Sequence, residues 1–243
     1  MESHNIHYQT PQLAEYYRNH RIVWSDLYES EKKVLTRINF QNNRKLLDIG
    51  CGCGGLGMIL REKFNFTNYT GIEINDAAAN LAKINNPDAS IIVGDFLESN
   101  LRKFNIVVSL SCIDWNIEFS KMLDKAWDLV DGGGDFLISL RLTDKESLLS
   151  IENSFQYINF EQNKEGEIAP YIVINSQEII ETIKSLDKVS HIFAYGYFSA
   201  PSFTAVTSLN EICFAVFLLK KSEEETNEIK INLELPEKIK LGI

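Results

Sequence analysis

The sequence predicts an α/β protein with a doubly wound, mostly parallel sheet of seven strands, an antiparallel terminal strand and an N-terminal helical cap. Short apolar runs alternate with helical stretches, a glycine cluster follows the first of these runs, and two late β-rich runs have no helix between them. Strands joined by helical crossovers pair in parallel, whereas consecutive strands without a crossover pair antiparallel. Together these observations predict the fold class.

Each element follows from its own pattern. Over residues 7–40, apolar residues recur at a spacing of three to four, which predicts two or three amphipathic helices ahead of the first strand. A short apolar run at 45–49, a glycine turn and a helix then form the first βα unit. The elements after it are strand 69–74, helix 76–84, strand 90–93, strand 104–110, helix 116–130, strand 135–140, helix 176–186 and strands 189–198 and 211–219.

The same pattern predicts how the chain is divided. A chain of 243 residues has room for one sizeable domain, since domains commonly contain about 100–200 residues. We expect residues 1–40 to form the helical cap and residues 41–221 to form the sheet domain, with 142–175 inserted as a lid. The charged segment 222–243 is expected to be a mobile tail.

Composition restricts the partners of the chain. Against 24 basic residues there are 34 acidic ones, a net charge of −10, and this excess repels a phosphate backbone. A small-molecule partner is therefore favoured over a nucleic acid. We expect neither export nor membrane insertion, because the N-terminal segment is polar and the longest apolar run, 212–219, is far shorter than the roughly 20 residues of a membrane span. Oligomeric state cannot be inferred.

The four cysteines show no spacing typical of a disulfide framework, so reduced thiols and a cytoplasmic location are expected. Cys51 and Cys53 lie one residue apart, but no second pair follows at a spacing suited to metal ligands. We therefore expect no metal site.

A glycine turn marks the candidate binding site. Gly50, Gly52 and Gly55 match the dinucleotide-binding spacing G-x-G-x-x-G directly after the first strand. Such a turn brings the backbone close to a ligand where a side chain would clash, and the next helix offers free N–H groups. A cofactor is expected there.

Three acids indicate which cofactor. Asp48, Glu73 and Asp95 each lie at the C-terminal end of one of three successive strands, the edge at which open α/β sheets bind ligands. Carboxylates repel a pyrophosphate but tolerate a sulfonium, an ammonium and an adenine amino group. The acids therefore favour S-adenosylmethionine over NAD, although an NAD-dependent oxidoreductase would use the same glycines.

Three segments, residues 46–54, 71–74 and 93–96, resemble the first three motifs of the class I, Rossmann-like S-adenosylmethionine-dependent methyltransferases. The resemblance spans about residues 44–141. It implies that Glu73 binds the two ribose hydroxyls, and that Asp95 accepts a hydrogen bond from the adenine amino group.

The resemblance also implies that Phe96 flanks the adenine ring and that Asp48, with the backbone of the glycine turn, holds the methionine part. The predicted cofactor-binding residues are Asp48, Gly50, Cys51, Gly52, Glu73, Ile74, Asp95, Phe96 and Ser109. Structural alternatives remain open for three of them. Glu73 could be a solvated charge at a strand end, Asp95 a turn-forming residue and Phe96 part of the core.

The acceptor side is expected after the fourth strand, because in similar methyltransferases this segment passes beside the transferable methyl group. Ser109 and Ser111 are then candidate neighbours of the cofactor. Asp114 is a candidate catalytic residue that would orient or deprotonate an acceptor, or instead cap a helix beginning at Asn116. Arg141, the second candidate, would clamp a carboxylate or phosphate, or instead form a surface ion pair.

Aromatic residues around these positions predict a lid that selects the acceptor. They are Tyr8, Tyr16, Tyr17, Trp24, Phe155, Tyr157, Phe160 and Tyr171. The segment 195–217 resembles bacterial methyltransferases from surface-polysaccharide contexts. The expected function is therefore methyl transfer from S-adenosylmethionine to an O or N atom of a small molecule such as a sugar or nucleotide-sugar. The alternatives are the oxidoreductase and a non-catalytic interaction protein that keeps the fold.

Overall fold

The computed structural model describes residues 14, 18, 20–159, 161, 163–226 and 228–240. Much of the predicted N-terminal cap, residues 1–13, 15–17 and 19, therefore lies outside the described residues. The same is true of four aromatic residues expected in the lid, namely Tyr8, Tyr16, Tyr17 and Phe160.

The first half of the chain alternates strands and helices as predicted. Its elements are α1 (Glu29–Leu35), β1 (Leu46–Ile49), α2 (Gly55–Phe64), β2 (Tyr69–Glu73), α3 (Asp76–Asn85), β3 (Ser90–Val93), β4 (Phe104–Ser109), α4 (Phe119–Asp128) and β5 (Val130–Thr143). Short 3-10 turns occupy Trp24–Asp26 and Ile113–Trp115. Local chemistry fixes the boundaries: the Asn75 side chain, for example, accepts a hydrogen bond from Ala78 N and so caps α3.

The second half is richer in strands than predicted. Its elements are β6 (Ser154–Ile158), β7 (Glu167–Pro170), β8 (Ile174–Asn175), α5 (Ser176–Lys184), β9 (Val189–Ser199), β10 (Ala205–Thr207), β11 (Ile212–Lys221), β12 (Lys230–Glu234) and α6 (Glu237–Lys240). The strands β10, β6 and β7 form a separate antiparallel sheet. Its short strands were not predicted, although an aromatic lid was expected there. The domain boundaries and the lid role remain predictions.

The main sheet has the order β12-β9-β11-β5-β4-β1-β2-β3, with β8 added beside β5. Strands β3, β2, β1, β4 and β5 are parallel, whereas β11 is antiparallel to both β5 and β9. The predicted fold class is confirmed, but the predicted number of seven strands is wrong because the sheet contains nine. The additional strands are too short, as in β8, or too charged, as in β12, to give a clear apolar pattern.

Helices cover both faces of the main sheet. One face packs against α4 and α5, where Trp127 and Ile180 are buried. The other packs against α1 and α2, through Val34 and Leu60 among others. The residues that follow β1, β2 and β3 line cavities at the C-terminal edge of these strands. Within the described part of the chain, no helix has the length and apolar character that a bilayer crossing needs.

The charged C-terminal segment folds onto the sheet, so the predicted mobile tail is wrong for residues 230–240. Strand β12 pairs in parallel with β9, and Glu234 forms ion pairs with Lys33 (2.6 Å) and Arg37 (3.2 Å). Leu235 is 4% exposed and fits against Gly196, where an added Cβ would approach the Leu235 side chain to 2.9 Å. Apolar burial at a few positions therefore outweighs the charged composition of the segment.

We predict that Leu235→Ala lowers the free energy of unfolding by about 2–4 kcal/mol, because it removes a buried side chain and leaves a cavity. Ile231→Ala is the matched control: Ile231 lies on β12, just before Leu235 in the chain, but is 44% exposed, and its replacement should cost less than about 1 kcal/mol. Urea denaturation measures both. If neither substitution changed the free energy of unfolding, the C-terminal segment would not pack against the sheet in solution.

Candidate functional site

The glycine turn lies between β1 and α2, and its backbone adopts left-handed conformations. The φ angles are +70° at Gly50, +53° at Gly52 and +80° at Gly54, where glycine has no steric cost. A Cβ at Gly50 would collide with the sulfur of Cys112, whereas a Cβ at Gly52 would meet nothing within 4 Å. The turn is therefore tightly packed behind Gly50 and open at Gly52.

Glu73 connects this turn to the end of β2. Its Oε2 accepts a hydrogen bond from Gly52 N and its Oε1 accepts one from Asn75 N, both at 2.9 Å. The side chain is buried, which excludes the alternative of a solvated charge at a strand end. Two backbone N–H groups thus fix the carboxylate beside the open part of the turn.

A first cavity lies on one side of Glu73, along the ends of β2 and β3. Five predicted cofactor-binding residues line it: Gly50, Glu73, Ile74, Asp95 and Phe96. An oxygen of Asp95 also accepts a hydrogen bond from Leu97 N at 2.8 Å. Phe96 is 5% exposed and also belongs to the core. For these two residues the structural and binding interpretations are therefore compatible.

A second cavity lies on the other side of Glu73, against the glycine turn. Asp48, Cys51 and Gly52 line it, together with Gly50 and Glu73. Tyr69 Oη donates a hydrogen bond of 2.6 Å to Asp48 Oδ2. Burial raises the pKa of Asp48 to about 7, although the Tyr69 hydrogen bond and the Arg21 charge oppose this shift. The Asp48 carboxyl is therefore balanced between its two protonation states near neutral pH.

The thiols beside these cavities are not activated. Burial raises the pKa of Cys51 well above its ordinary value, and burial also raises that of Cys112. Both thiols are neutral near pH 7, so they shape the cavity walls but do not act as nucleophiles.

A third cavity contains both predicted catalytic residues, Asp114 and Arg141. Arg141 Nε donates a hydrogen bond of 2.8 Å to Asp114 Oδ2, and Arg141 Nη2 donates to the Asp114 carbonyl oxygen. The Arg141 guanidinium carbon lies 3.8 Å from the ring centre of Tyr171 and 4.6 Å from that of Trp115. The two charged residues form one buried, aromatic-walled ion pair.

The structure rules out two structural alternatives that the sequence left open, a surface ion pair for Arg141 and a helix cap for Asp114. Arg141 is 3% exposed, so its ion pair is not on the surface. Helix α4 begins at Phe119 and not at Asn116, so Asp114 does not cap it. One edge of the Arg141 guanidinium is already used, because Nε and Nη2 both bind Asp114.

The three cavities converge after β4. Ser111 and Trp115 line all three, and Tyr28 lines both the second and the third. Ser139 Oγ accepts a hydrogen bond from Ser111 N at 2.6 Å, which holds the segment in place. Ser109, the other predicted neighbour, is fully buried in β4 and is not among the residues that line these cavities.

Sequence reasoning missed Glu31 and its partners. Glu31 is 1% exposed and lines the third cavity. Its Oε1 binds Arg21 at 2.6 Å and its Oε2 accepts a hydrogen bond from Tyr28 N at 2.9 Å. A signal was present: Glu31 precedes Val34 and Leu35 by three and four residues, which places a charge on the buried face of α1.

Comparison with known proteins finds methyltransferases that are similar to this chain. A malonyl-[acyl-carrier protein] O-methyltransferase of Brevibacillus brevis is 25% identical over 125 residues, which cover 47% of this chain and 45% of that protein. A ribosomal RNA small subunit methyltransferase G of Prochlorococcus marinus is 30% identical over 161 residues, covering 50% of this chain and 62% of that protein. The chain thus spans about half the length of these relatives.

Among solved structures, phosphoethanolamine N-methyltransferase 2 of Haemonchus contortus, in complex with S-adenosyl-L-methionine, has a similar fold. Its TM-score is 0.55 at 15% identity, and the similarity covers 78% of this chain and 51% of that one. The family described as a methyltransferase domain matches residues 40–232. That match includes the glycine turn, all three acids and most of the main sheet. The chain therefore belongs to this methyltransferase domain family.

Proposed function

We propose that the chain binds S-adenosylmethionine and transfers its methyl group to an O or N atom of a small molecule. The observation that carries the proposal is the Glu73 carboxylate, fixed between two cavities by Gly52 N and Asn75 N. Each carboxylate oxygen can accept more than one hydrogen bond, so a carboxylate held in this way can also bind a diol. The family match favours methyl transfer over the nicotinamide-dependent alternative.

The residues present fit the cofactor. Glu73 would bind the ribose hydroxyls, Asp95 would accept from the adenine amino group and Phe96 would flank the ring in the first cavity. Asp48 and the amides of the glycine turn would hold the methionine part in the second cavity. The open space at Gly52 leaves room for a ligand against the backbone.

When bound, S-adenosylmethionine supplies an electrophilic methyl group on a sulfonium that leaves as a neutral thioether. Ser111 and Trp115 line all three cavities, so they would flank the point where donor and acceptor meet. Holding two reactants in a near-attack geometry can lower a barrier by roughly 7–11 kcal/mol. The residues that align the reactants and exclude water would therefore supply most of the catalysis.

The third cavity would take the acceptor. Tyr28, Trp115 and Tyr171 line it, and such aromatic walls suit a small ring such as a sugar. The names of the two relatives specify malonyl-[acyl-carrier protein] in one case and ribosomal RNA in the other, so the relatives do not indicate one acceptor class. The net charge of −10 disfavours RNA, and we retain a sugar or nucleotide-sugar as the proposed acceptor.

Glu73→Gln should weaken S-adenosylmethionine binding by about 10- to 100-fold, because charge-assisted hydrogen bonds to the ribose are lost. Isothermal titration calorimetry measures the affinity. Glu62→Gln, which replaces an exposed glutamate of α2, is the matched control and should bind as the unmodified chain does. Unchanged affinity in Glu73→Gln would refute the ribose-binding role. A chain that binds the cofactor but never transfers its methyl group would instead favour the non-catalytic alternative.

The pKa of Asp48 predicts how cofactor affinity depends on pH. The ionised carboxylate attracts the ammonium of the methionine part, and in the free protein about half of the Asp48 side chains are ionised near pH 7. Affinity should therefore rise with pH and be roughly tenfold lower at pH 6 than above pH 7.5.

Asp48→Asn provides the control for this pH dependence. The amide oxygen introduced by this substitution would still accept a hydrogen bond from Tyr69 Oη, but the amide has no charge to titrate. Calorimetry across the same pH interval should therefore give a weaker and nearly constant affinity. An equally steep pH dependence in this variant would assign the titration to another group.

A further inference from the structure

The third cavity contains a buried oxygen to which no described residue donates a hydrogen bond. Asp114 has a side chain that is 6% exposed, and its Oδ2 is bound by Arg141. Its Oδ1 is buried and has no hydrogen-bond partner among the described residues. A buried carboxylate oxygen without a donor is costly, so this oxygen is suited to receive a donor from a ligand.

Arg141 does not make the cavity attractive to anions. Two of its nitrogens bind Asp114, and its guanidinium is stacked against Tyr171 and Trp115. The second acid of the cavity, Glu31, is paired with Arg21 at 2.6 Å. Two carboxylates are thus balanced by two guanidinium groups. Among the described residues that line the cavity, no excess positive charge remains to bind a carboxylate or phosphate at the reacting end.

A second unpartnered oxygen points to the same ligand chemistry. Gln156 Oε1, on β6, is buried and has no hydrogen-bond partner among the described residues. Gln156 lines the second cavity together with Tyr28, Ser111 and Ser202, which also line the third. Asp114 Oδ1 and Gln156 Oε1 are both acceptors with no partner among the described residues, so a ligand complementary to these adjoining cavities would present hydrogen-bond donors.

We infer that the methyl acceptor reacts through a hydroxyl or an amine that donates a hydrogen bond to Asp114 Oδ1, and that acceptors with a carboxylate at the reacting position are excluded. The inference rests on the proposed methyl transfer and names the acceptor chemistry of that site. A bond forms between the acceptor oxygen or nitrogen and the methyl carbon, the methyl–sulfur bond breaks with its electron pair on sulfur, and the acceptor proton passes to Asp114 Oδ1.

The environment of Asp114 supports its role as proton acceptor. Burial raises its pKa above the ordinary aspartate value, although the Arg141 charge opposes the shift. Asp114 would then contact the reacting group directly and be a catalytic residue, whereas Arg141 would be a positioning residue that fixes the carboxylate through Oδ2.

Three matched probes test the recognition step: cyclohexanol, cyclohexylamine and cyclohexanecarboxylate, each titrated by NMR into the full chain saturated with S-adenosylhomocysteine. We expect the alcohol and the amine to bind at least about tenfold more tightly than the carboxylate. Asp114→Asn should abolish this preference and leave S-adenosylhomocysteine affinity unchanged. Asp124→Asn, which replaces an exposed aspartate of α4, is the matched control and should keep the preference.

Equal or tighter binding of the carboxylate, or no binding of any probe, would overturn the inference while leaving the proposed function intact. Failure to bind S-adenosylhomocysteine would instead contradict the proposed function. The order of the three probe affinities in the unmodified chain tests the inference even if Asp114→Asn does not fold.

The product provides a second readout. Labelled S-adenosylmethionine incubated with the chain and a cellular small-molecule extract should give label in ethers or N-methyl groups, which are stable to mild alkali. Alkali-labile methyl esters would overturn the inference. Asp114→Asn should slow the labelling by about 100-fold or more, as expected for loss of a positioned base.

Discussion

The site depends on the hydrogen bond between the amide of Gly52 and the carboxylate of Glu73. It joins the ends of two adjacent parallel strands, because Gly52 follows β1 and Glu73 ends β2. The left-handed backbone at Gly52 is what turns its N–H toward the acid. Without this contact the buried Glu73 carboxylate, which lines both of the first two cavities, would lose one of the two backbone donors that stabilise its charge.

The two proposed sides of the site are electrostatically different. On the cofactor side, Asp48 and Glu73 present carboxylates to a ligand whose positive charge would stabilise them, and the pKa of Asp48 near 7 reflects the cost of burying that charge without the ligand. On the acceptor side, Asp114 and Glu31 are already neutralised by arginines. A positive donor and an uncharged or amine-bearing acceptor can then occupy adjoining cavities with little mutual repulsion.

The N- and C-terminal parts of the described chain complete the acceptor side and the far edge of the sheet. Helix α1 contributes Glu31 to the third cavity, and Lys33 of the same helix binds Glu234 of β12, as does Arg37 just after the helix. One short helix therefore contacts both the proposed acceptor cavity and the C-terminal strand.

The sequence by itself determined the parallel sheet, the glycine turn and the acids at the strand ends. These are local patterns, and parallel strands bring their C-terminal ends to one edge whatever the details of packing. Only the tertiary structure decided the pairing of Asp114 with Arg141 and of Glu31 with Arg21, since the two residues of each pair are separated along the chain. The tertiary structure also decided that the charged C-terminal segment packs onto the sheet. The burial of Leu235 and Ile239 depends on a complementary surface that composition does not reveal.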